Sequence, residues 1–512
     1  MSEVNFKFRE KTQSYRFTSK LSSTMQKPLP RKYLLSAYSV LRKFNPDLIK
    51  EGLDYLRPDN FFLNIVSRTY PGTWENREKW YGTEYTCQPI PSDFMVEIKK
   101  AAASTPATRT AKIHLPHKNQ FIPMKLDVEK KDVKEPALAP RIIRNDPIVR
   151  TWFKKDDTFW VPKATLIISC RSPLASASAA NHVKVRLFTD LVKDALEEYS
   201  YDAELAGLEY TVTLDARGLL IELSGYNDKL PLLLQHVLVT TRDLEIRDDR
   251  FEIIKERLSR GYRNWELATP WNQISDYMSW LTIDRGYLVE ELGAELPYIT
   301  ADSVRMFQKE LLAQMHIEIL AHGNIYKEDA LRLTDLVEST FKPRELPKQQ
   351  WTVRRGLILP SGSNYIWKKK LKDPANVNHC IHYCLHVGYR GDYTVRAKVL
   401  LLDQILHEPC FNQLRTKEQL GYVVYSGAWA SPTQFGFYII IQSEKPGPYL
   451  ETRIEDFLRN GGKLLEEMSE EEFESNKRSI IDKRLEKLKY MEQESNRHWT
   501  HIYTEFYAFD NG

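Results

Sequence analysis

Charge of one sign is the first thing this sequence lacks. Across 512 residues, 73 Lys and Arg stand against 69 Asp and Glu, a formal net charge of +4. So small an imbalance gives no electrostatic case for binding nucleic acid or a membrane surface. Long apolar runs are missing too: nothing approaches the roughly 20 residues that cross a bilayer. The opening MSEVNFKFREKTQSYRF is charged throughout and has no apolar core of the signal-peptide kind. Cysteine is scarce. Cys87, Cys170, Cys380, Cys384 and Cys410 are odd in number and form no C-x-x-C, so a reduced, cytoplasmic setting fits best.

What is present is ordinary globular material, 42% hydrophobic and 28% charged, in a chain long enough for about three domains. Residues 34–56 (LLSAYSVLRKFNPDLIKEGLDYL) read as an amphipathic helix. After the turn signal RPDN, FFLNIVS (61–67) reads as a strand. Between Phe121 and Pro147 the composition turns charged and proline-bearing, with no periodicity, which predicts an interdomain linker.

Beyond that stretch lies an internal repeat. One copy runs from the strand ATLIISC (164–170) into the helix VRLFTDLVKDALEEY (185–199), where Phe188, Leu191, Val192, Ala195, Leu196 and Tyr199 share a face. AGLEYTVTL, the strand-like GLLIELSGYNDKLPLLL and a helix around Phe251 follow. The second copy runs from the strand NHCIHYCLHVG (378–388) into VRAKVLLLDQIL, then QLGYVVYSG, the strand-like GFYIIIQSEKPGPYLE and a helix around Phe473. Ser469 and Glu472 are spaced as a capping box at the start of that last helix. Gly207 matches Gly421 and Phe251 matches Phe473, an offset of roughly 215 to 220 residues. The fold class expected is α+β: tandem homologous modules, each a mainly antiparallel sheet with helices packed on it.

One stretch asks for more than turn chemistry. RTKEQLGYVVYSG (415–427) sets Arg415 and Tyr422 on either side of a helix-to-strand break. Gly421 there reads simply as a helix C-cap. In the first copy the matching positions are Tyr201 and Leu208, so the module's fold does not require an Arg–Tyr pair.

FNQLRTKEQLGYVVYSG followed by IIIQSEKPGPYLE resembles the insulysin branch of the pitrilysin family of zinc metallopeptidases. FNPDLIKEGLDYLRPDN, EKWYGTEY, LPHKNQFIP, WFKKDDTFWVPKA, AELAGLEY, GYNDKLP, RFEIIKERL and HIEILAHGN extend the likeness, in order, over nearly the whole chain. The resemblance implies four homologous modules closing into a chamber around peptide substrates in a cytoplasmic endopeptidase, with mitochondrial or peroxisomal pools left open. It implies zinc on an inverted H-x-x-E-H helix in the first module, a helix this sequence does not contain. The chain is therefore expected to correspond to an interior-to-C-terminal segment. In this expectation, 1–120 is the end of the second module, 121–147 the linker, 148–368 the third module and 369–512 a truncated fourth. The zinc-bearing N-terminal half would be its missing partner, and a homodimer is among the assemblies implied.

By the same resemblance, Arg415 would donate to substrate carbonyls and Tyr422 to an oxyanion. The segment KRLEKLK (483–489) has Lys483, Arg484 and Lys487 at helical spacings. Left to itself it reads as a solvated helix face. The family likeness suggests instead that Lys487 and Lys489 belong to a basic wall for ATP or other polyanions, with Lys7 a further candidate. Trp80 and Tyr81 would line the chamber or pack in a core, and Cys410 would be an oxidation-sensitive thiol or a small buried hydrophobe.

No metal ligands are assigned in this chain. His114 and His117 lie on a loop-like stretch, and His407 and Glu408 are adjacent in the wrong arrangement. On a strand, His379 and His382 point to opposite faces while His382 and His386 share one. Partly buried strand histidines explain the latter pair better than a metal site with Cys380 or Cys384. The function expected is the substrate-binding, non-zinc half of an insulysin-like zinc endopeptidase, inactive alone. The alternative is a non-catalytic structural or interaction subunit built from the same modules, as some members of the family are in a mitochondrial respiratory complex.

Overall fold

A computed structural model describes residues 1–37, 39–67, 69–109 and 117–510. The chain divides into two compact units, one of 2–6 with 27–119, the other of Met1, 7–26 and the chain from Gln120 onward.

The smaller unit departs from the expectations set for it. Only Pro46–Asp54 of the long helix forms. Pro46 has no N–H to donate and its ring would clash with a preceding helical turn, so it sits at the first helical position behind the Asn45 cap. Residues 61–67 form no strand. Phe62 and Val66 are each 90% exposed there, and no described strand pairs with the run. Among the unit's described residues the one ladder is Asn76–Arg77 against Glu84–Tyr85.

In the larger unit, β-branched and apolar runs make a central sheet. Its strands are β1 (Arg141–Asn145), β2 (Val149–Lys155), β3 (Lys163–Arg171), β4 (Leu208–Asp215), β5 (Gly218–Tyr226), β6 (Gln314–Gly323) and the short β7 (Arg344–Glu345). Their order is β1-β2-β6-β3-β5-β4, with β7 beside β6. Only β2 and β7 lie parallel to β6; every other pairing is antiparallel. The predicted linker is tied into this unit. Phe121 is fully buried in its core, and Arg141–Asn145 is an edge strand whose two isoleucines were too few to show a period.

One face of the sheet is covered by α1 (Ala179–Leu205), α2 (Leu230–Asp243), α3 (Asp248–Glu266) and neighbouring helices. Phe188, Leu191, Val192 and Leu196 of α1 are buried as its periodicity predicts, whereas Ala195 and Tyr199 are exposed. Beyond α3 comes α4 (Pro270–Leu281).

The second half repeats the order. β8 (His379–Tyr389), α7 (Tyr393–Cys410), β9 (Val423–Ala430), β10 (Gln434–Ser443), α8 (Gly447–Glu467) and α9 (Glu470–Arg484) match the strand–helix–strand–strand–helix–helix series of the first copy. In both copies the long strand-like reading stops early, at Tyr226 and Ser443, and a helix takes its second part. The capping box forms: Ser469 N donates to Glu472 at 3.1 Å, and Glu472 N to the Ser469 hydroxyl at 3.3 Å. The three strands run β8-β10-β9, antiparallel, with Phe437, Ile439 and Ile441 of β10 buried under α7 and α8.

The two halves cover each other. The outer face of the second sheet packs on α4, with Trp271 N donating to Gln442 Oε1 at 3.2 Å. The outer face of the first sheet packs on α10 (Met491–Tyr503), where Trp499, Ile502 and Phe509 join Trp152, Ile167 and Leu320. That is why β3 reads as a continuous apolar run: it is buried on both faces.

Candidate functional site

The site is built from the end of α7. Pro409 sits in its last turn, and the chain then widens into a π-helical turn, Phe411–Lys417. Such turns are rare, and each inserts an extra residue that re-aims the side chains after it. The widened turn closes with Glu418 N donating to Gln413 O at 3.0 Å, and Leu420 N to Leu414 O at 3.1 Å. Leu414 and Leu420 are buried and anchor the segment to the core.

Gly421 is not the helix cap that its sequence position suggested. The left-handed residue is Gln419, at φ 51°. Gly421 is required because a Cβ there would collide with the Gln442 carbonyl oxygen of β10. Its repeat partner Gly207 does serve as a cap, at φ 76° after α1.

These constraints bring Arg415 and Tyr422 together. The guanidinium carbon of Arg415 lies 4.7 Å from the Phe411 ring centroid and 4.8 Å from that of Tyr422. Two aromatic rings thus lie against the cation, whose N–H groups remain its donors. No carboxylate pairs with Arg415 among the described residues. Tyr422 is 85% exposed. Arg415 can therefore present several fixed donors, and Tyr422 a hydroxyl, to a ligand outside the fold.

Sequence reasoning missed the clamp that holds this segment. Arg453 of α8 grips Glu418 bidentately, both contacts at 2.7 Å, and also reaches Asp456 at 2.6 Å. Gln413 donates to the same carboxylate at 2.7 Å. The Arg453 hydrogen bonds, followed by that from Gln413, outweigh partial burial and hold Glu418 below the usual glutamate value. No local spacing signals it, because the partner of Glu418 lies 35 residues away on another helix.

The other candidates scatter. Lys487 and Lys489 are not on a helix, because α9 ends at Arg484. Lys487 is exposed, and Lys489 pairs with Glu486 at 2.8 Å. Lys7 is exposed, its ammonium 5.1 Å from the Phe8 ring. Trp80 and Tyr81, 79% and 93% exposed, sit in the hairpin turn where Glu78 accepts from both of their backbone N–H groups, so neither packs in a core. Cys410 is fully buried, and burial pushes its thiol up to about 11; it is a core residue, not a reactive thiolate.

The histidine donors do not fit a zinc ion. His382 shares a face of β8 with Cys380, Cys384 and His386, but it lies against Tyr438, and His386 against Trp429. Burial pulls His382 down to about 4 and pushes Cys380 and Cys384 up to about 12, far from thiolate chemistry. His407 is spent on Ser426 O at 3.2 Å, His117 is exposed, and His114 lies outside the described residues. Among the described residues no three metal-ligating side chains converge. No described helix is long and apolar enough to cross a membrane.

A buried polar seam went unread as well. Glu318 of β6, wholly buried, is paired with Arg171 and accepts from Trp152 Nε1 at 3.1 Å, while Arg171 also reaches Glu505 at 2.6 Å. Beside it, Glu494 of α10 meets Lys154 at 3.0 Å and His322 at 3.3 Å. These charges fasten α10 to the first sheet.

Comparison with known proteins agrees with the architecture. Residues 6–295 match the model of the middle or third domain of peptidase_M16, and 401–499 that of the C-terminal lobe domain 4 of the PQQ synthase PqqF-like proteins. The human insulin-degrading enzyme is 35% identical over 518 aligned positions, covering 100% of this chain and 49% of its own. The A-factor-processing enzyme of Saccharomyces cerevisiae is 33% identical over 99% of this chain and 49% of its own. The chain thus spans about half the length of these relatives. A crystal structure of pitrilysin superposes with a TM-score of 0.77 at 22% identity, over 100% of this chain and 53% of that one. With a family model over more than half of the chain and sequence likeness over all of it, the chain belongs to the peptidase M16 family, among the relatives of insulin-degrading enzyme.

Proposed function

We propose that this chain is the substrate-positioning, non-zinc half of an insulysin-like zinc endopeptidase acting on peptides. One observation carries the reading: the Arg415 cation lies against the Phe411 and Tyr422 rings, with no carboxylate partner among the described residues and an exposed tyrosine beside it. Arg415 donates to carbonyls of a bound peptide. Tyr422 donates to the oxygen on which negative charge develops during hydrolysis. Nothing in this pair can generate the nucleophile, so the zinc and its general base belong to a partner half. Lys487 and Lys489 form part of a wall for ATP or another polyanion, and the assembly works in the cytoplasm, including as a homodimer. The names of the relatives, insulin-degrading and A-factor-processing enzymes, support a peptidase role.

The test is peptide binding by the full chain, followed by fluorescence anisotropy of a labelled unstructured peptide. Arg415→Ala should weaken binding roughly tenfold, the worth of one charge-assisted hydrogen bond. Tyr422→Phe should leave it unchanged, because a transition-state contact adds little to ground-state affinity. Equal binding by Arg415→Ala would overturn the positioning role. Chelator-sensitive cleavage by the purified chain would overturn the non-zinc assignment, and no peptide binding at all would favour a structural subunit.

A further inference from the structure

The two copies of the repeat treat one strand differently. In the first, β3 is flanked on both sides, by β5 and by β6, and every residue of Ala164–Arg171 is buried. In the second, β8 holds the same place. Leu166 pairs with Leu223 and Ile168 with Ile221 in the first sheet, as Ile381 pairs with Ile441 and Tyr383 with Ile439 in the second. All of these side chains join the core under their own copy's helices. Yet among the described residues β8 has β10 on one side and no strand on the other. None of its 11 residues is buried.

An open strand edge offers a row of backbone N–H and C=O groups to any extended segment, and folds blunt such edges with charge or proline. HCIHYCLHVGY carries neither. The register breaks between His386 and Gly388, so the regular edge runs from His379 to His386. At β3 the equivalent stretch, Ala164 to Arg171, is paired with Gly323 to His316 of β6. The other outer strand of the second sheet carries no such expectation. β9 takes the place of β4, and no described strand lies on the outer side of β4 either.

The first sheet also shows the chemistry of an occupant. β6 runs antiparallel to β3, sends Ile317, Ile319 and Ala321 into the helix-side core, and ends on Gly323, where a Cβ would collide with Lys163 O. β6 itself is held between β2 and β3, so neither it nor its equivalent in a second copy is free to serve at β8. We propose that the edge of β8 from His379 to His386 takes up an extended, proline-free segment of a partner protein. That segment lies antiparallel to β8, with apolar side chains at alternate positions on the face that α7 and α8 cover. Backbone hydrogen bonds supply the affinity, and the alternate side chains select the partner. The edge is separate from the Arg415–Tyr422 pair, because β10 lies between β8 and the strand that follows Tyr422.

The probe is a labelled synthetic peptide with the sequence of Gln314–Asn324, titrated into the full chain by fluorescence anisotropy and followed by amide exchange. The peptide should bind saturably. About half of the amides of residues 379–386, those not already given to β10, should then exchange more slowly. The same peptide carrying Ile319→Pro, which breaks the ladder, should bind roughly tenfold or more weakly. An Arg415→Ala chain should take up the peptide as the parent does, which separates this edge from the peptide-positioning pair. No saturable binding, equal binding of the proline peptide, protection of 423–430 in place of 379–386, or loss in Arg415→Ala would each overturn the assignment. So would a free chain that is dimeric by light scattering with 379–386 already protected, which would give the edge to a second copy.

Discussion

His316 shows how far a single side chain can bind the fold to pH. It is 1% exposed, stacked 3.9 Å from Trp351, with Nδ1 3.2 Å from Pro147 O. Burial, aided by the neighbouring cations Arg171 and Arg150, pulls its imidazolium down to about 4 from 6.5. The unfolded chain therefore takes up this proton first as pH falls, and stability is lost from about pH 6.5 downward toward the folded value. The largest slope from one such group is about 1.4 kcal/mol per pH unit. His316→Gln should remove about 2 kcal/mol of the fall in unfolding free energy between pH 7 and 5. Urea titrations of both proteins at the two pH values check this; parallel losses would show that His316 is not buried neutral. The histidine was unremarkable in HIEILAHGN, because its burial comes from a tryptophan 35 residues away.

At the scale of elements, the two glycines that the repeat aligned have different duties, and substitution should expose this. Gly421→Ala drives a methyl into the Gln442 carbonyl oxygen of the paired strand, a backbone atom that cannot step aside. A loss of about 2–4 kcal/mol is expected. Gly207→Ala meets the strain of a left-handed φ of 76°, about 1 kcal/mol. Chemical denaturation should rank them in that order, and equal losses would refute the difference. The repeat itself was legible because apolar period and caps are local: β3, α1, α7 and the Ser469 box all stand where the sequence put them. The π-turn was not legible, since one extra residue in a helical turn leaves no mark on the pattern. The run 61–67 failed for the converse reason, a local β pattern with no described strand to pair it. Of the site, Arg415 and Tyr422 were picked out by resemblance, while Glu418 and Arg453, joined only through space, were invisible.

For the whole molecule, the decisive feature is the exchange of helices between the two sheets. α4 covers the second sheet and α10 the first, so neither half of the larger unit is a finished body. The boundary drawn at 368/369 follows the repeat, but packing assigns Met491–Phe509 to the first sheet. A chain ending at Tyr490 should expose Trp152, Ile167 and Leu320 and deprive Arg171 of Glu505. It should bind a hydrophobic dye and aggregate, read by fluorescence and light scattering. A monodisperse truncated chain with the parent's melting temperature would contradict the account.

The same exchange sets an order of events during synthesis. β3 leaves the ribosome roughly three hundred residues before the helix that seals its second face. At the usual pace of roughly 5–20 residues per second, that face stays open for tens of seconds. Glu10, 481 residues ahead of Met491, accepts from its backbone N–H at 2.8 Å while pairing with Lys163 at 2.7 Å, so the earlier residue waits for the later one. Until α10 emerges the nascent chain presents an open apolar face of the kind that invites aggregation, and a ribosome that stalls before α10 releases a product with an unsealed core.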